Sequence, residues 1–208
     1  MNPDLNLSLI LLAGLIASAS PGPATMAIAG TSMGAGRGYG LAVAAGVTSG
    51  SFIWSIAAAF GLAAVMVTNA WAFEVIRYFG AAYLLFLAYK SAKSAIRGGG
   101  VAANAFETKS HRKAYLKGLA LHLTNPKAVL FFGSLYAIGL PAGAGPQTLL
   151  LVIFAVGLQS AVVFHGYALL FSSPPMMRGY VRLKRWFEAA FAAAFGVAGL
   201  KILTTRIE

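Results

Sequence analysis

Long uncharged runs set the pattern of this chain. No Asp, Glu, Lys or Arg occurs from Leu5 to Gly36, from Gly38 to Phe73, or from Ala128 to Met177. Runs of that length are read as membrane-crossing helices, which need about 20 consecutive apolar residues. Six spans are expected, at roughly Leu5–Thr31, Tyr39–Thr68, Ile76–Ile96, Ser110–Leu140, Gln147–Ser172 and Phe187–Leu203. The first and fourth are broken by proline, at Ser20-Pro21-Gly22-Pro23 and at Thr124-Asn125-Pro126-Lys127. Pro21 lies 16 residues after Leu5, and Pro126 lies 16 after Ser110. Three spans per half make the two halves enter from opposite sides. The expected fold is therefore an all-α integral membrane domain over residues 1–208, built as two inverted three-helix repeats. Repeat one covers about 1–97, a loop opening on Gly98-Gly99-Gly100 covers about 98–109, and repeat two covers about 110–208.

Composition agrees with this class. Hydrophobic residues make up 59% and charged residues 10% of the chain, against near half and a quarter in a soluble domain. Mean hydropathy is +0.76. A net charge of +11 would suit nucleic acid, but the basic residues cluster beside apolar runs, as in cytoplasmic loops, so no nucleic-acid partner is expected. The loops after the first, third and fifth spans hold twelve Lys and Arg, and the opposite side holds Arg77, Lys201 and Arg206. The positive-inside rule then places both termini outside. Ala17-Ser18-Ala19 resembles a signal cleavage site, yet Asp4 and the lack of early Lys or Arg favour a retained first helix. There is no cysteine, which removes disulfides and thiolate metal sites.

The two breaks carry the candidate chemistry. Asn caps free backbone N–H groups and Pro suits the first helical position, so Asn125-Pro126 should start a half-helix inside the bilayer. Gly22-Pro23 should do the same, with Pro21 ending the segment before it. Irregular backbone at that depth survives only where it is buried or lines a cavity. Half-helix N-termini offer N–H donors and partial positive charge, which suit an anion. Lys127 falls in the first turn of the second half-helix, where its own helix dipole disfavours it. Asp4, Glu74, Glu107, Glu188 and Glu208 all appear at ends or in loops, so a substrate carboxylate is the expected partner. Snorkelling to the surface is the alternative. The lack of an acid within a span also favours a neutral substrate.

Other positions are weaker. His122 and His165 are candidate proton relays, and each serves equally well as a neutral packing residue. Gln159 and Ser160 are candidate cavity-lining residues. Gly30, Gly34, Gly38, Gly46 and Gly50 suit close helix packing or a homodimer face.

In order along the chain, these features resemble the LysE/RhtB family of the lysine exporter superfamily. The resemblance rests on Pro21-Gly22-Pro23, on Gly46, Gly50 and Gly61, and on the segment from Phe79-Gly80 through Tyr83-Leu84 to Lys90. It rests also on Gly118 through Asn125-Pro126-Lys127 to Phe131-Phe132, and on Gly196, Gly199 and Leu200. It covers nearly the whole chain. It implies a cofactor-free secondary transporter in the bacterial inner membrane that exports amino acids or close derivatives from the cytoplasm by proton antiport. Neutral amino acids, homoserine- or threonine-like compounds and lactones are favoured. The implied substrate-binding positions are Pro21, Gly22, Pro23, Asn125, Pro126 and Lys127. The family often has an Asp in the fifth span, where this chain reads Gln159-Ser160-Ala161-Val162-Val163-Phe164-His165. His165 is then a candidate replacement.

Other function classes compete. A passive channel or a membrane scaffold needs no Lys127. An intramembrane hydrolase would need a serine, Ser49 or Ser51, against His122 or His165. No nucleophile elbow and no zinc motif is visible, so an enzyme is not expected.

Overall fold

The computed structural model describes residues 5–68, 70–97, 106, 110–141 and 143–204. Among these, every regular element is a helix: α1 (Leu7–Ala19), α2 (Pro23–Gly34), α3 (Arg37–Thr68), α4 (Ala70–Arg97), α5 (His111–Leu123), α6 (Pro126–Gly139), α7 (Pro146–Leu170) and α8 (Pro174–Thr204). Local chemistry explains several starts. The Asn6 and Ser110 side chains accept from backbone N–H groups three residues on, at 3.1 and 3.4 Å. Pro23, Pro126 and Pro146 occupy the first turn of α2, α6 and α7, where a missing N–H costs nothing. Between α2 and α3 the chain turns at Gly36, whose φ of 101° is open to glycine and strained for other residues.

Both expected breaks are present. α1 and α2 meet at a bend of 51°. Asn125 separates α5 from α6 in extended backbone, φ −80° and ψ 110°. The apolar core lies where α1, α3, α4, α6, α7 and α8 converge, on Ile10, Ala59, Leu84, Leu135, Val152 and Phe195. A second cluster joins α2, α3, α5 and α7 through Ile28, Val43, Val47, Ala114 and Phe164. α7 is two-faced: Val152, Val156 and Ser160 are buried, while Phe154, Leu158 and Val162 stand exposed in a stripe at four-residue spacing. An apolar stripe turned outward suits lipid.

By length and composition, α3 and α7 are long and apolar enough to cross a membrane, and the bent pair α1–α2 makes a third. α4, the α5–α6 pair and α8 do not reach that standard among the described residues. Basic residues stand within all three: Lys90, Lys93 and Arg97 in α4, Arg112, Lys113 and Lys117 in α5, and Arg178, Arg182, Lys184 and Arg185 in α8.

Two expected boundaries shift. α4 begins at Ala70 rather than Ile76, and α8 begins at Pro174 rather than Phe187. The basic cluster that marks a loop by composition is helical. The 31 residues of α8 extend about 46 Å at 1.5 Å per residue, longer than a hydrocarbon core of about 30 Å. One consequence corrects the sequence reading of the acids. Glu188 is no end or loop residue; it is buried in the body of α8 at 6% exposure. The Gly98-Gly99-Gly100 opening of the long loop, Lys109 and both termini lie outside the described residues.

Candidate functional site

The site is built from the two helix breaks. At the first, α1 closes on Ser20, whose backbone N–H donates to Ile16 O at 2.9 Å. Gly22 is extended, and its N–H donates to Thr25 Oγ1 at 2.8 Å while the Thr25 hydroxyl donates to Gly22 O at 3.0 Å. Thr25 thus makes the reciprocal bond of a capping box, while Gly22 has no side chain to accept from the first turn. At the second break, Asn125 Oδ1 accepts from the Lys127 backbone N–H at 3.0 Å, the capping that the Asn-Pro pair predicts.

Lys127 ties the breaks together. Its Nζ donates to Ser20 Oγ and lies 3.5 Å from Ala17 O. The cation therefore meets the C-terminal carbonyls of α1, the favourable end of that helix dipole. It begins α6 against one dipole and ends its reach on another. Gly22 stands close by: a Cβ there would lie 3.6 Å from Lys127 Nζ, an ordinary van der Waals contact.

Two cavities flank this contact. The larger, about 560 Å3, is lined by Pro21, Pro23, Tyr83, Lys90, Pro126 and Glu188, among others. The smaller, about 60 Å3, is lined by Ser51, His122, Phe131, Phe132, Ser160 and Phe164, among others. Ser20, Gly22, Asn125 and Lys127 line both, so they form the wall between them. A volume of 560 Å3 is within the roughly 300–1,000 Å3 usual for small-molecule sites.

The six positions of the two motifs therefore come together around one wall. The other expected positions divide. Ser160 is buried and lines the smaller cavity. Gln159 does not line either cavity: its Nε2 donates to Leu11 O at 2.7 Å, and its side chain fills the notch at Gly14. It fastens α7 to α1. His122 lines the smaller cavity, with Nε2 3.1 Å from Ser51 Oγ and Nδ1 buried without a partner. His165 lines neither cavity, and its Nδ1 donates to Ala161 O of its own helix at 2.9 Å.

Sequence reasoning missed Ser20, Thr25 and Glu188. Ser20 stands two residues before Gly22 and Thr25 three after it, where capping needs made them findable. Glu188 is the second residue of the expected last span, and extending that helix backward would have moved it from the end into the body. The helix α8 lays it beside α4, where its Oε1 accepts from Ser94 Oγ at 3.1 Å.

Among the described residues, no group of three or more His, Cys, Asp or Glu is placed to hold a metal ion. The Ser51–His122 pair has the residue types of a hydrolytic dyad. The Ser51 hydroxyl is 3.2 Å from Val47 O and 3.1 Å from His122 Nε2; its single proton can go to either, according to the His122 tautomer.

Threonine efflux proteins of Salmonella typhi and Escherichia coli (strain K12) are each 28% identical to the chain over 199 residues, covering 95% of it and 97% of the relative. Membrane protein YahN of Escherichia coli (strain K12) is 30% identical over 189 residues, covering 88% of the chain and 82% of the relative. No solved structure gives a significant match. The LysE type translocator family matches residues 15–206, nearly the whole chain, and the chain belongs to that family.

Proposed function

We propose that this translocator exports amino acids, with neutral or threonine-like compounds and their lactones favoured, from the cytoplasm of a bacterium across its inner membrane by proton antiport. One observation carries the reading. Two proline-started half-helices and Lys127 converge on the wall of a cavity large enough for an amino acid. The helix N-termini and the lysine both favour a carboxylate. Lys90 and Lys184 line the same cavity and belong to the basic clusters of α4 and α8, so the cavity faces the cytoplasm by the positive-inside rule. That is the loading side of an exporter. The relatives named as threonine efflux proteins point to the same class of cargo.

Six spans in two inverted repeats remain the architecture of this reading. α1 and α5 are each 13 residues long, and each precedes a break and a proline-started partner. α3 packs on α7 and α4 packs on α8, so helices at matching positions in the two halves meet. Both results suit a pseudo-two-fold axis in the membrane plane. His122, buried beside the wall, is the better placed of the two histidines to carry a coupling proton.

Counterflow in proteoliposomes tests the proposal. Liposomes are loaded with unlabelled amino acids, and uptake of labelled threonine, leucine and lysine is followed with and without a pH gradient. Saturable exchange of threonine or leucine that responds to the gradient is expected. Unsaturable flux would indicate a channel, and no exchange by folded protein would remove the carrier reading.

A further inference from the structure

We propose that Glu188 recognises the α-ammonium group of the cargo, so that Lys127 and Glu188 read the two charged ends of a zwitterion. The inference rests on the amino-acid export proposed above.

Glu188 is 6% exposed and is held in α8 by packing against α4. A buried carboxylate loses its hydration, and the cost is offset only by partners. The Ser94 hydroxyl is a neutral partner, donating to Glu188 Oε1 at 3.1 Å. Glu188 lines the larger cavity together with Lys127. Lys90 and Lys184 line the same cavity. Lys184 precedes Glu188 by one helical turn, where the two share a face. The cavity therefore presents three cations and one anion. Cations alone would accept any carboxylate. The single anion adds a requirement for a positive group on the same small molecule, and every free amino acid has one.

A structural role, with Glu188 serving only the neighbouring lysines, makes a different forecast. It would affect folding and rate but would leave the cavity indifferent to the cargo's amine.

The experiment compares wild type, Glu188→Gln and Glu188→Asp in the same liposomes. The label is whichever of threonine, leucine and lysine the wild type exchanges fastest. The competitors are the unlabelled amino acid and its N-acetyl derivative, which keeps the carboxylate and loses the cation. Wild type should favour the free amino acid by at least tenfold. Glu188→Gln should weaken the free amino acid by about tenfold and bring the two competitors to near parity. Glu188→Asp, which keeps the charge and protects against misfolding of the Gln variant, should retain a preference. An unchanged preference in Glu188→Gln overturns the assignment, even if the rate falls. So does equal competition by the N-acetyl compound in wild type. If wild type exchanges none of the three amino acids, the export reading fails and this inference falls with it.

Discussion

Lys127 shows how a residue's energetics depend on which backbone it reaches. By sequence it opens a helix whose dipole opposes its charge, and that alone suggested a need for an anion. In the fold, its Nζ crosses to Ser20 and the end of α1, 107 residues away, where carbonyl oxygens favour a cation. The Asn125 cap was legible because capping is local. The reach of Lys127 was not, because nothing in a sequence states which distant helix end a long side chain will meet. The same holds for Glu188, whose burial depends on α4. Replacing Lys127 by Met should cut apparent affinity for the cargo at least tenfold, about 1.4 kcal/mol, in the counterflow assay. Folding should survive, since Ser20 Oγ keeps its bond of 3.0 Å to Ala17 O. A Met variant with wild-type half-saturation would remove Lys127 from the site.

At the scale of elements, α3 and α5 cross with backbone against backbone. A Cβ on Gly46 would overlap the Tyr115 carbonyl, and one on Gly118 would overlap the Val43 carbonyl. Each glycine thus receives the other helix's backbone, the small-residue packing that membrane helices use. From sequence, the glycine spacing suggested close packing or a homodimer face, and Gly46 is used within the chain. Backbone cannot swing aside as a side chain can. Gly118→Val should destabilise the protein by about 1–3 kcal/mol, the usual cost of overpacking. Gly133→Ala, with open space where the methyl would go, should be neutral. Thermal unfolding of the two variants in detergent checks the contrast. Helix starts were legible at the two breaks, where Pro23 and Pro126 mark them. The start of α8 was not, because basic residues signal a loop by composition yet favour helix nearly as well as leucine does.

For the molecule as a whole, polarity along the membrane normal is set by charge, and the cysteine-free chain makes it directly measurable. In the proposed orientation, Arg112→Cys and Arg182→Cys, both at exposed positions, should label with an impermeant maleimide only after cells are opened. Gly145→Cys, also exposed, should label in intact cells. The reverse pattern would invert the topology and turn the larger cavity outward. The class of fold was legible because uncharged runs of such length have few other uses. The pairing of α3 with α7 and of α4 with α8 was not, since packing partners leave no mark on periodicity. The glycine-lined crossing of α3 and α5 has one more consequence. It joins one half of the chain to the other through main-chain contact rather than through the peptide link between them. Co-expressed fragments cut between residues 97 and 110 should therefore find each other without that link and co-purify as a heterodimer.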